Sequence, residues 1–177
     1  QTCALPISSA GLVGTDLWIV GTTGDDQLTV SRTGQQIDAL INSGPYSFAV
    51  GSFAGSVLVF GLAGNDAGSL LGPIGIGSVF DLGADGNGLT VIGTSTDDVV
   101  TLANGVVTLN GDQITFSNIV SLGISTLDGD DQVTMSANSS GVSTTIDEGT
   151  GDDGFTGSFA NGFDAFLRLR EIGRAHV

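Results

Sequence analysis

One short phrase constrains this chain more than any other feature. At residues 126–135 it reads TLDGDDQVTM, and variants recur as GTTGDDQLTV (21–30), GLAGNDAGSL (61–70), GTSTDDVVTL (93–102), EGTGDDGFTG (148–157) and FANGFDAFLR (159–168). Each copy is a Gly/Asp/Asn corner, and most run into alternating Val, Leu and Thr. Gly permits a left-handed corner, and Asp or Asn bonds the backbone beside it. The apolar alternation that follows starts a strand.

The spacing of the corners sets the architecture. GTTGDDQLTV aligns with GTSTDDVVTL at an offset of 72, and DLGADGNGLT (81–90) with DEGTGDDGFT (147–156) at an offset of 66. A shorter spacing of about 22 lies inside, between 57–66 and 79–88 and again between Ile124 and Ile146. A phrase of that length cannot bury its own apolar face, so it must stack on copies of itself. The expected fold is therefore all-β: a right-handed parallel β-helix or β-solenoid with about 22 residues per coil. Tandem small β-sandwich modules are the alternative.

Leu62 should then lie near Ala84, and Ile124 near Ile146. Residues 9–20 read as the end of a preceding repeat, 21–92 as repeat unit 1, 93–158 as unit 2 and 159–171 as the start of unit 3. Strands are expected over 27–31, 36–42, 46–50, 56–60, 78–82, 88–92, 98–102, 105–109, 113–117, 119–124, 132–136 and 142–147. Asn110-Gly111 signals a hairpin inserted between coils.

The two ends read differently. Residues 2–7 (TCALPI) resemble the translation of a short-read sequencing adapter, and 172–177 (IGRAHV) that of its reverse complement. Residues 1–8 and 172–177 are therefore set aside as adapter-like, as fusion scars are. They hold the chain's one Cys (Cys3) and one His (His176). The chain has no Lys, and its net charge is −15. That charge repels nucleic acid and anionic membrane and favours cations as partners. No membrane insertion is expected within 9–170.

The chemistry on offer is carboxylate. Asp25, Asp26, Asp66, Asp97, Asp98, Asp128, Asp130, Asp131, Asp152 and Asp153 all sit in the recurring corners. Neighbouring strand residues point to opposite sides, so an Asp-Asp pair is not a convergent acid/base dyad. Stacked corners do converge, and equivalent carboxylates one coil apart repel by about 1 kcal/mol in water. A hard cation with oxygen ligands relieves that repulsion; Asp and Gly as plain turn formers are the competing reading.

With Gly21, Gly24, Asp26 and Leu28 as its closest copy, and Gly129, Asp131, Val133 and Gly151, Asp153, Phe155 as partial ones, the corner resembles the nonapeptide of RTX (haemolysin-type) calcium-binding repeats. The resemblance implies Ca²⁺ held by the corner Asp residues. Family repeats run in tandem every nine residues, and these do not. The layout also resembles the degenerate β-strand repeats of large secreted bacterial surface proteins.

The expected function is a non-catalytic repeat segment of a secreted or cell-surface protein: an extracellular stalk or adhesive spacer, with calcium ions, surface glycans or other proteins as partners. The alternative is a fragment of a carbohydrate-active β-helix protein whose catalytic residues lie elsewhere. Lyases of that fold lean on Lys, Arg or His, which 9–170 supplies only as Arg32, Arg168 and Arg170. Trp18 is expected to face outward, packed against a strand neighbour or exposed to sugar.

Overall fold

The structure is a computed structural model that describes residues 8–136 and 141–157 and the backbone of 168–171. The adapter-like tails, Ser8 apart, and most of the expected third unit lie outside the described residues. Apart from a 3-10 turn at Val50–Ser52, the described elements are strands. They are β1 (Ser9–Val13), β2 (Asp16–Val20), β3 (Gln27–Thr33), β4 (Gln36–Ile41), β5 (Gly44–Ala49), β6 (Val57–Phe60), β7 (Ala67–Leu71), β8 (Ser78–Asp81) and β9 (Gly88–Ile92), followed by β10 (Val99–Ala103), β11 (Val106–Leu109), β12 (Asp112–Ser117), β13 (Ser121–Ser125), β14 (Gln132–Met135), β15 (Ser143–Gly149), β16 (Gly154–Gly157) and β17 (Arg168–Glu171).

The protein is all-β, with two mostly parallel sheets and no closed barrel. One sheet runs β1-β2-β6-β8-β12-β11-β10-β14-β16 and the other β17-β15-β13-β9-β7-β3-β4-β5. Among the described residues, antiparallel pairing is confined to hairpins closed by two-residue turns. Their first turn residues are Gly14, Gly34, Asn42, Asn104 and Asn110, all with φ between 50° and 63°. Gly and Asn tolerate that left-handed backbone, which suits the twist of the flanking strands. The Asn110-Gly111 hairpin expected from sequence is present, between β11 and β12.

Between the sheets lies one apolar core. Along one sheet Val30, Leu70, Val91, Ile124 and Ile146 stand in register, each 3% exposed or less. Beside them run Leu28, Gly68, Leu89 and Leu122. Phe80 reaches across from the other sheet to fill the gap at Gly68, where an added Cβ would lie 3.0 Å from its ring. Trp18 faces outward from β2, half-buried, and tilts against Phe60 with ring centroids 5.1 Å apart.

The period of 22 is local. Ile124 pairs with Ile146 as expected, 22 residues on, but Val57 pairs with Ser78, 21 on. Leu62 accordingly aligns with Gly83, while its carbonyl accepts the Ala84 N–H at 3.1 Å. Elsewhere partners are further apart, as in Leu89↔Leu122 and Val30↔Leu70, because strand meanders intervene.

The expected repeat units have a property that spacing alone does not show. Strands β3, β4, β5, β7 and β9 of residues 21–92 lie in one sheet, and β6 and β8 in the other. In residues 93–157 the five corresponding strands, β10, β11, β12, β14 and β16, lie in the opposite sheet, and β13 and β15 replace β6 and β8. The chain crosses between sheets an odd number of times per unit, so each unit exchanges the roles of the two sheets.

Candidate functional site

The corners that carry the candidate Asp residues form two stacks. Corners 21–26, 61–66 and 82–87 lie along one edge of the molecule, and 93–98, 126–131 and 148–153 along the other. Close backbone approach explains the Gly residues. At Gly64 (φ 123°) a Cβ would meet the Gly24 carbonyl at 2.6–2.7 Å, and at Gly129 (φ 136°) it would meet the Thr96–Asp97 peptide at the same range.

The sixth residue of each corner builds an inner ladder. The Asp26 N–H donates to Asp66 Oδ1 (2.8 Å), and the Asp66 N–H to Asn87 Oδ1 (2.7 Å). On the other edge the Asp98 N–H donates to Asp131 Oδ1 (2.8 Å), and the Asp131 N–H to Asp153 Oδ1 (3.0 Å). The fifth residue builds an outer ladder of opposite sense. The Asn65 N–H donates back to Asp25 Oδ1 (2.8 Å), the Gly86 N–H to Asn65 Oδ1, the Asp130 N–H to Asp97 Oδ1 and the Asp152 N–H to Asp130 Oδ1 (3.0 Å each). These bonds satisfy corner N–H groups that have no strand partner. They also place a donor between successive carboxylates, which offsets part of the repulsion expected from stacking.

Each inner ladder begins under a hairpin, where no corner precedes it. There Asn42 donates from Nδ2 to Asp26 Oδ1 (2.7 Å) and accepts the Gln27 N–H (2.9 Å). Asn110 does the same for Asp98 and for the Val99 N–H (2.8 Å). Both Asn residues occupy the left-handed region, φ 56° and 50°.

The corners come in two conformations. In 21–26 and 93–98 the second residue is Thr, and its N–H donates to the sixth-position carboxylate: Thr22 to Asp26 Oδ2 (2.6 Å) and Thr94 to Asp98 Oδ2 (2.8 Å). The Thr hydroxyls add further bonds to the same carboxylates. In the remaining four, the second residue is left-handed: Leu62, Gly83, Leu127 and Gly149. That rotation turns its N–H away. Asp66 Oδ2 and Asp131 Oδ2 are then buried without a hydrogen-bond partner. Burial raises the pKa of both side chains above the ordinary carboxylate value.

Of the ten candidate residues, Asp26, Asp66, Asp98 and Asp131 are buried, Asp153 is half-buried, and Asp25, Asp97, Asp128, Asp130 and Asp152 are exposed. Asp128 accepts the Thr150 hydroxyl (2.6 Å). The structure brings these residues into two separate stacks, in which Oδ1 of Asp66, Asp131 and Asp153 accepts an N–H while Oδ2 of the same three has no partner. Among the described residues, no three His, Cys, Asp or Glu side chains converge on a point that could hold a metal ion. The described candidate carboxylates are thus spread along the two stacks and not gathered at one point. In the closest copy, both oxygens of Asp26 are already bonded, to Thr22 and Asn42.

Sequence reading missed the Asn members: Asn42, Asn65, Asn87 and Asn110. Asn87 had a usable signal, since it stands 21 residues after Asp66 in an equivalent corner. Comparison with protein-family models, with curated proteins and with solved structures found no match.

Proposed function

We propose that this chain is a non-catalytic repeat segment of a secreted or cell-surface protein, built as a right-handed parallel β-solenoid and acting as a stalk or adhesive spacer. The observation that carries this reading is the pair of corner ladders. The corner Asp and Asn residues are engaged in joining one corner to the next, which is a task of assembly and not of catalysis. Each described corner offers N–H donors and side-chain acceptors of the same pattern, so the design extends by repetition. The −15 net charge keeps such a rod soluble and self-repelling. Surface glycans or other proteins are the partners such a spacer would meet on its outward faces.

The test is growth. Two units place seven strands in each sheet. At about 4.8 Å per strand, a tandem copy of 21–158 should lengthen the particle by roughly 34 Å at constant cross-section. Small-angle X-ray scattering measures both dimensions. A particle that thickens, or that behaves as beads on a flexible string, overturns the proposal.

A further inference from the structure

The corner at 82–87 shows what the sixth-position side chain of a left-handed corner faces. Asn87 is fully buried, and its Nδ2 donates to the carbonyls of Leu82 (2.8 Å), Gly83 (3.0 Å), Ala84 (3.2 Å) and Asn118 (3.0 Å). The site is a ring of acceptors that calls for a donor. Corner 61–66 has the same backbone, with Leu62 and Gly64 left-handed where 82–87 has Gly83 and Asp85. Corner 126–131 repeats it at Leu127 and Gly129. In both, the sixth residue is Asp.

An ionised carboxylate has nothing to donate. Asp66 is 2% exposed and Asp131 0%, and in each Oδ1 accepts the N–H of the preceding corner while Oδ2 has no partner. The Thr126 hydroxyl stands 3.1 Å from the Glu148 carbonyl and also beside Asp131, where it opposes part of the rise that burial causes. The charged groups facing Asp66 are Asp25 and Asp26 on the preceding corner and Asp85 on the following one. Those facing Asp131 are Asp98 and Asp153. All are acidic. Arg32, the one cation whose side chain is described, is bound to the Gly34 and Ile74 carbonyls.

We propose that Asp66 and Asp131 are proton sites, not cation sites: in the folded chain each keeps a hydrogen on Oδ2 and donates it to the carbonyls of its own corner, as the Asn87 amide does. A buried acid among acceptors and like charges favours its neutral form. The sign follows from linkage. The folded chain holds these protons more tightly than the unfolded chain, whose Asp residues titrate near 3.8. These two groups therefore favour the folded state most in acid, and that contribution falls as pH rises from about 4 through their folded values.

Carboxyl-carbon NMR of the full chain, labelled at Asp and titrated from acid to neutral pH, tests this directly. Asp66 and Asp131 should titrate above the ordinary Asp value of 3.8. Titration at that value or below overturns the proposal. Asp66→Asn and Asp131→Asn should raise Tm at neutral pH, and the gain should shrink towards pH 4. A neutral-pH loss greater than the acid loss counts against the idea. If either variant fails to fold, the titration of the unaltered chain still decides. Millimolar Ca²⁺ should leave both resonances in place; a shift confined to these two would restore a cation site.

Discussion

Removing the Asn110 side chain isolates what a ladder cap contributes. Its Nδ2 bonds the carboxylate of Asp98, which is fully buried, and its Oδ1 accepts the Val99 N–H. A hydrogen bond to a charged group is worth about 1.5–3 kcal/mol and a neutral one about 1 kcal/mol. Val99 is exposed, so water recovers most of the second. Asn110→Gly keeps the left-handed backbone and should cost about 2–3 kcal/mol through these bonds. Asn110→Ala should add about 1 kcal/mol for placing a Cβ at φ 50°.

Asn104→Gly is the matched control. Asn104 has φ 51° at the other end of the same meander, and its side chain makes no hydrogen bond among the described residues. Both Gly variants gain the same unfolded-state freedom, so their difference reports the cap alone. For a chain of this size 1 kcal/mol moves Tm by about 2–4 °C, so Asn110→Gly should melt roughly 5–10 °C below Asn104→Gly. Differential scanning calorimetry reads this. Equal melting temperatures would falsify the claim that Asn110 caps the ladder.

Three further substitutions probe the stack. Gly64→Ala should destabilise by more than the roughly 1–2 kcal/mol of backbone strain, because its Cβ would strike the Gly24 peptide, whereas Gly14→Ala opens into free space and should show the strain alone in urea melts. Ser78 stands between Val57 and Ile114 with its hydroxyl buried and unbonded, so Ser78→Ala should raise stability by about 1 kcal/mol; a loss would mean the hydroxyl has a partner. Phe80→Ala should cost about 3–5 kcal/mol, since it empties the space above Gly68 and the side chain is fully buried; a cost under 1 kcal/mol would show that the core collapses to fill it.

Strand positions were legible where apolar and polar residues alternate, as in Leu122 and Ile124 of β13, but the same alternation wrongly turns Val120 inward: it is exposed, just before the strand begins. β7 was not foreseen, because Ala67, Gly68 and Ser69 carry little apolar signal and its core filler, Phe80, comes from the other sheet. The corners were legible as corners, but the reach of their side chains was not. Whether Asp66 meets a cation, a proton or an N–H depends on the φ of Leu62, a residue in which sequence offers no hint of left-handed backbone. A single period hid the meanders: β4–β5 and β11–β12 lengthen the path without adding a corner, so equivalent residues fall 33 or 40 apart.

The exchange of sheets between units bears on straightness. One unit adds five strands to one sheet and two to the other, and alone it would leave one side of the stack wider by three strands, roughly 14 Å at the usual strand spacing. Repeated without exchange, that mismatch would accumulate and the stack would curl towards its narrower side. Because the next unit reverses the excess, the mismatch cancels every second unit. A spacer of the proposed kind would therefore be straight when its units are even in number and carry one uncancelled wedge when they are odd.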